Sequence, residues 1–187
     1  MNELVVGRPE TSDGRLEKEM KVYDLLDQLQ ISYERVDHEK ADTIEACEVV
    51  EKALGAGTSI CKNLFLCNAQ KTKFYLLMMP GRKVFKTKDL TKQINSARLS
   101  FASPEYMEKF LNITPGSVSV MGLMNDTENN VQLLIDEEVV EPTYIACHPC
   151  MNTSSIKFKT KDLLNTFLPY VHHEPIFVTL PVESSVL

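Results

Sequence analysis

Apolar residues recur at helical spacing at Leu16, Met20, Tyr23, Leu26 and Leu29, which predicts a first helix with Ser12 or Asp13 as its cap. The rhythm then shortens. In ISYERVD, Ile31, Tyr33 and Val36 read as the inward side of a short strand. ADTIEACEVVEKALGAG restores the helical period, with Asp42 or Thr43 as cap and Ile44, Cys47, Val50 and Leu54 on one stripe; Gly55 and Gly57 end it.

Beyond residue 60 the pattern is strand-rich. CKNLFLCN and KFYLLMMP, separated by the polar AQKTK, predict a hairpin. TKDLTKQIN predicts a short amphipathic helix, ARLSFAS a short strand, and SPEYMEKFLN a helix whose first turn suits Pro104, because proline has a fixed φ and no N–H to satisfy. ITPGSVSVMGLMND mixes Gly, Pro, Ser and small apolar residues and predicts a structured loop beside a strand. VQLLIDEEV, TYIACHP and SSIKF predict strands, KTKDLLNTFL a terminal helix, and PIFVTLPVESSVL an extended tail. Helices and strands alternate irregularly, without βαβ repetition, which predicts an α+β class with a mixed sheet. No linker or fixed-period repeat divides the chain, so a single domain over 1–187 is expected, with a core from about 16 to 168, a loose N-terminal arm and a C-terminal tail.

Composition narrows the function classes. With 187 residues, 43% hydrophobic and 25% charged, the balance is that of an ordinary globular protein. No apolar run approaches the ~20 residues that span a bilayer, and the N-terminus lacks a basic segment leading into an apolar one, so a soluble cytoplasmic protein is expected. The net charge of -6 argues against broad, nonspecific duplex binding. Against that background RKVFKTKDLTKQINSAR, from Arg82 to Arg98, carries six basic residues and one acid. It is either a solvated lysine-rich surface or an edge that meets phosphates. The five cysteines are odd in number and scattered, which favours reduced thiols over structural disulfides.

The most conspicuous chemical motif is the CxxC in IACHPCMN. A redox dithiol sits at a helix start, where the dipole lowers a thiol pKa; here MNTSSIKF follows, with no helical pattern. One CxxC supplies two zinc ligands of four, and Cys47, Cys61, Cys67 and His38 form no second paired motif that would complete a site. The chain has neither of the usual phosphate-binding glycine loops and no GxSxG elbow. His172 and His173 lie in a polar stretch and are expected to face water. Lys62, leading into an apolar strand, either reaches solvent or sets a cation at the mouth of a pocket. In TPGSVSV, Gly116 either makes a tight turn or lets main chain approach a ligand.

Taken in order, KNLFL at 62–66, RLSFASPE at 98–105, PGSVSVMGLMND at 115–126 and HPCMNTSSI at 148–156 resemble the YbaK-type aminoacyl-tRNA deacylases, the prolyl-tRNA synthetase editing-domain family. The branch most similar is the free-standing Ala-tRNA(Pro) deacylases of the ProXp-ala or PrdX type. The resemblance spans roughly residues 16–168. It implies an α+β editing fold and a carboxylic ester hydrolase that frees mischarged alanine from the terminal adenosine of tRNA(Pro). It implies no cofactor, no metal and no covalent nucleophile. The partner is the alanine-bearing acceptor end, with no membrane contact; a monomer without a stable protein partner is expected.

Carried over by motif, Lys62, Gly116 and His148 are the expected catalytic residues, Gly116 opening the family's GxxxP loop and His148 beginning its HP motif. Arg98, Ser100, Ser117, Asn125 and Pro149 are expected to bind substrate. Lys83, Lys86 and Lys88, with the helix beginning near Thr43, are expected to meet the acceptor stem. One departure stands out: the loop reads GSVSV, with Val120 in place of proline. That leaves alanine, cysteine or serine open as the amino acid removed. A noncatalytic module sensing aminoacyl-tRNA or an amino acid also stays open, and no role is assigned to Cys147 and Cys150.

Overall fold

The computed structural model describes residues 3–40 and 44–182. The expected caps Asp42 and Thr43 lie outside the described residues. Among the described residues, nine strands join one mixed sheet: β1 (Leu4–Val6), β2 (Tyr33–Asp37), β3 (Thr58–Asn68), β4 (Phe74–Pro80), β5 (Leu99–Phe101), β6 (Val131–Asp136), β7 (Tyr144–Cys147), β8 (Ser154–Lys159) and β9 (Ile176–Val178). Their order is β1-β2-β8-β7-β3-β4-β6-β9, with β5 paired to β3. The pairs β3–β7, β4–β6 and β6–β9 are parallel and the others antiparallel, so the α+β class with a mixed sheet is the one expected.

Strand β4 lies inside the sheet between β3 and β6, and its FYLLMM is buried on both faces, as a strand covered by helices on each side must be. On one face α1 (Glu17–Gln28) and α4 (Pro104–Leu111) pack Tyr23, Leu26 and Leu111 against Phe65, Leu76, Leu133 and Ile156. On the other, α2 (Ile44–Leu54) sets Val50 and Leu54 on Val36 and Ala146, while α3 (Thr87–Gln93) sets Leu90 among Leu66, Leu77 and Met79. Strand β3 is long enough to serve both halves. Its residues 58–60 pair with β7 and residues 66–68 with β5, which leaves its middle, around Lys62, without a strand on that edge.

Several expectations change. Neither Ser12 nor Asp13 caps α1, whose N-cap is Leu16 without a side-chain bond. The N-terminal arm is not loose, since β1 pairs with β2, and the C-terminal tail contributes β9 and a bridge from Val182 to Lys83. VQLLIDEEV ends as a strand at Asp136 and continues as a 3-10 turn over Glu137–Val140, with Asp136 as its cap. The terminal helix is divided: α5 (Thr160–Asp162), a π-helical turn over Leu163–Phe167, and α6 (Leu168–Tyr170).

His173 does not face water. It is buried, and its Nε2 lies 3.1 Å from Asp126 Oδ2 while Nδ1 lies 2.7 Å from the Val171 carbonyl oxygen. Burial alone would raise the Asp126 pKa, but hydrogen bonds from His173, the Val131 N–H and Asn130 outweigh it and hold the carboxyl below its usual range. A depressed folded-state pKa gives stability that is present above the unfolded value near 3.9 and lost as pH falls through the folded one. Asp126→Asn should therefore cost roughly 2 kcal/mol at pH 7, with the difference from the parent narrowing below about pH 4. Urea melts at stepped pH check this; a difference independent of pH would contradict it.

Candidate functional site

The open edge at the middle of β3 borders a cleft of about 480 Å³ whose lining includes Lys62, Gly116 and His148, three residues far apart in sequence. Sheet register explains how they meet. Lys62 opposes Met79 and therefore faces the α2–α3 side. Ile60 aligns with Ala146 of β7 on that same side, and His148 follows Ala146 by two residues, just past the strand end. The cleft thus sits between α2, which contributes Cys47, Val50, Glu51 and Leu54, and the β3–β4 edge at Gly81.

The loop before β6 closes one side. Thr114 to Ser117 form a turn, with the Ser117 N–H donating to the Thr114 carbonyl oxygen at 3.1 Å and Gly116 at φ +87°. A type II turn requires a left-handed residue third and favours proline second, and that third position is why glycine is needed. A Cβ at Gly116 would lie 3.5 Å from Asn152 Nδ2, so this loop and the HPCMN loop are in near contact. Ser119 fastens them: its Oγ donates to the His148 carbonyl oxygen at 2.5 Å and accepts from the Met121 N–H at 3.2 Å. That second bond makes Ser119 the N-cap of the 3-10 helix Val120–Asn125. Val120, at the position where the resemblance implies proline, is fully buried in the main core and does not line the cleft. The cleft receives Gly116 and Val118 from this loop.

His148 is held in one tautomer. Its Nδ1 lies 2.9 Å from the Ser154 carbonyl oxygen, which can only accept, so the proton sits on Nδ1 and Nε2 keeps its lone pair. Burial lowers the His148 pKa, and His38 lowers it further, so the ring is neutral at pH 7. His38 lies across from it, the ring centroids 6.0 Å apart. Its own Nδ1 is 2.7 Å from the Glu39 carbonyl oxygen and its Nε2 3.0 Å from Ser155 Oγ. His38, Asn63, Ser119 and Ser155 were not among the expected site residues. Only Ser119 had a local signal, a serine directly ahead of a helical turn.

Three of the thiols are poor nucleophiles. Burial pushes Cys61 and Cys150 up to about 12, and Cys147 up as well. Among the described residues no three His, Cys, Asp or Glu side chains are grouped to hold a metal ion, and no helix is long and apolar enough to cross a membrane.

The remaining expected residues are dispersed. Ser117 and Pro149 are buried beside the cleft without lining it. Asn125 donates from Nδ2 to the Leu111 carbonyl oxygen at 2.8 Å, tying the 3-10 helix to α4 rather than reaching a ligand. Ser100 opposes Cys67, so it faces the sheet side opposite Lys62, and Arg98 precedes it; neither lines the cleft. Lys86 and Lys88 are exposed. Lys83 is not: its Nζ meets Asp136 at 2.9 and 3.0 Å and Glu138 at 2.9 Å, with side chains 2% exposed for Lys83 and 0% for Asp136. An ammonium so enclosed is not presented to phosphate.

A family model for the aminoacyl-tRNA editing domain matches residues 38–166. The prolyl-tRNA editing protein ProX of Acetoanaerobium sticklandii is 33% identical over 138 residues, covering 74% of this chain and 83% of that protein. The prolyl-tRNA synthetase associated domain-containing protein 1 of Danio rerio is 26% identical over 166 residues, 88% of this chain and 87% of the relative. Among solved structures, one provisionally described as a trans-editing enzyme for prolyl-tRNA synthetase superposes with a TM-score of 0.64 at 14% identity, covering 88% of this chain and 97% of the other. At that identity it speaks for the fold.

Proposed function

The chain belongs to the aminoacyl-tRNA editing domain family, and on that premise we propose that it acts in trans as a single-domain deacylase removing alanine from mischarged tRNA(Pro). The observation that carries the reading is one cleft lined by an exposed ammonium at Lys62, a neutral imidazole at His148 and a glycine turn at Gly116. That set suits ester hydrolysis by water, and the raised thiol pKa values speak against Cys61, Cys147 or Cys150 as nucleophile.

Water adds to the ester carbonyl carbon. As the tetrahedral species collapses, the bond to the ribose oxygen breaks and that oxygen takes one proton from the attacking water. The other proton passes to solvent, leaving alanine as its carboxylate and the tRNA with a free terminal hydroxyl. Lys62 faces the charge developing on the carbonyl oxygen, where a preorganised cation acts most strongly. The terminal ribose hydroxyl and backbone groups of the 116–118 loop position the water. His148 Nε2, holding a lone pair, accepts a hydrogen bond from the substrate α-ammonium and walls the pocket against a proline ring. Apolar discrimination of small side chains is limited to a few kcal/mol, which is why a synthetase for proline needs a second, hydrolytic sieve for alanine. Ile60, Ala146 and Val118 give that sieve an apolar lining. The substrate is the charged acceptor end of a tRNA, and the exposed Lys86 and Lys88 take its phosphates, so binding should weaken steeply with salt.

The thiols provide the test. The Cys147→Ser/Cys150→Ser variant should keep kcat/KM on alanyl-tRNA(Pro) within about threefold of the parent, as expected where no thiolate takes part. Loss of hydrolysis in a folded double variant would replace this mechanism with thiol chemistry.

A further inference from the structure

Lys62 shares its sheet face with an exposed aromatic pair. Along β3, Lys62 opposes Met79, Leu64 opposes Leu77, and Leu66 opposes both Tyr75 and Phe101 of β5, so Lys62, Leu64 and Phe101 lie on one face. Phe101 is 64% exposed. Its ring meets Phe85 edge-on, with centroids 5.8 Å apart and planes at 65°. Phe85 and Leu64 pack on the α3-side core while remaining partly open. The exposed Lys86 adjoins Phe85 in sequence, Lys88 follows two residues on, and the exposed Arg98 lies just ahead of β5.

An uncovered phenyl ring met by a second ring, with exposed cations close by in sequence, has the makings of a nucleic-acid stacking platform. The π face takes any base, and the cations follow the phosphates. Partner surfaces on proteins combine aromatic anchors with few lysines at their centre, whereas three exposed cations lie within three residues of these rings in sequence. The distance also suits a strand of RNA. From Leu66, level with Phe101, to Lys62 is four residues of β3, about 13 Å at ~3.3 Å per residue. That is the length of a few nucleotides, stacked bases lying ~3.4 Å apart.

We propose that Phe101, supported by Phe85, stacks an unpaired base of the substrate's single-stranded 3′ end, upstream of the terminal adenosine, while Lys86, Lys88 and Arg98 neutralise the adjoining phosphates. The inference rests on the deacylase reading for the position of the ester, and adds a site for RNA outside the cleft. It also gives Arg98 a place on the phosphates rather than in the aminoacyl pocket.

Because the chain contains no tryptophan, Phe101→Trp provides a single tryptophan at the platform, excited apart from the tyrosines at the red edge. A short oligoribonucleotide ending in CCA should quench it, and a blunt RNA duplex of the same length should do so much less. Phe101→Ala should lower kcat/KM on alanyl-tRNA(Pro) about tenfold, in line with the loss of one base stack. It should hydrolyse the alanyl ester of adenosine alone at the parent rate, and Phe101→Tyr should keep most of the activity. Equal losses on both substrates, or no loss on either, would overturn the proposal, as would fluorescence indifferent to the single strand. Quenching by the single strand without hydrolysis by the parent protein would keep the platform and remove the deacylase reading.

Discussion

Lys62→Ala is expected to lower kcat/KM for alanyl-tRNA(Pro) hydrolysis by about 100-fold or more, the usual cost of removing a charge-stabilising donor from a reacting carbonyl. The loss should fall mainly on kcat, because the ammonium acts where charge develops and not on the resting ester. Stability should hardly change: Lys62 is exposed on its strand, and truncating a surface side chain is usually worth less than ~0.5 kcal/mol. Lys62→Arg keeps the charge but spreads it over a planar group of different reach, and should recover only part of the rate. Single-turnover hydrolysis with enzyme in excess separates chemistry from tRNA binding. A Lys62→Ala variant that hydrolysed alanyl-tRNA at the parent rate would remove the residue from the mechanism.

The largest effect on stability should come from the other side of the sheet edge. Asp136 is fully buried, accepts from Lys83 through both oxygens, and also accepts from the Leu180 N–H at 2.8 Å and the Glu138 N–H at 3.1 Å. Asp136→Ala leaves the Lys83 ammonium buried with only Glu138 beside it and orphans an N–H that fixes the C-terminal segment. Breaking a buried pair in this way costs about 3–5 kcal/mol. Burial alone would lower the Lys83 pKa, but the hydrogen bonds that its ammonium donates to Glu138 and Asp136 outweigh it and raise it, so the ammonium stays charged through neutral pH. The double variant Lys83→Met/Asp136→Leu should be less destabilised than the sum of the singles, since neither charge is then left alone. Urea denaturation of the four proteins checks this; single variants within ~1 kcal/mol of the parent would contradict it. Lys83→Met should also leave the salt dependence of tRNA binding unchanged, whereas Lys86→Ala and Lys88→Ala should each reduce its slope.

How far the sequence could be read depended on whether a feature was local. The β3–β4 hairpin was legible because two apolar runs flank a polar turn, and α4 because Pro104 and the helical stripe agree. Strands β1 and β9 were not. Each has three residues, with Val5, Val6, Ile176 and Phe177 exposed, so neither carries a buried alternation to read. Lys83 looks like its neighbours in a lysine-rich run; only the fold brings it to Asp136, 53 residues later. His173 was misplaced for the same reason, its partner Asp126 lying 47 residues earlier.

The cleft divides along the same line. Lys62, Gly116 and His148 were named from motif resemblance, and the sheet register brings them to one cleft. Ser100 and Asn125 belong to the same motifs but point elsewhere, because a motif fixes the backbone course and not which face each side chain takes. His38 was weighed only as a zinc ligand, because nothing beside it in sequence ties it to His148. The pairing of Asp37 with Ser154 brings it opposite His148. Val120 shows the reverse case: the substitution stood out in the sequence, yet its side chain enters the core and leaves the cleft lining to Gly116 and Val118.

In the proposed function this cleft hydrolyses the ester of a small amino acid on tRNA(Pro) while sparing the cognate one. Hydrolysis of tRNA(Pro) charged separately with alanine, cysteine, serine and proline tests it most directly. The expected result is rapid loss of alanine with prolyl-tRNA(Pro) left intact, and abolition of that loss in Lys62→Ala. Equal hydrolysis of alanyl- and prolyl-tRNA(Pro), or binding of the charged tRNA with no hydrolysis of any species, would contradict it.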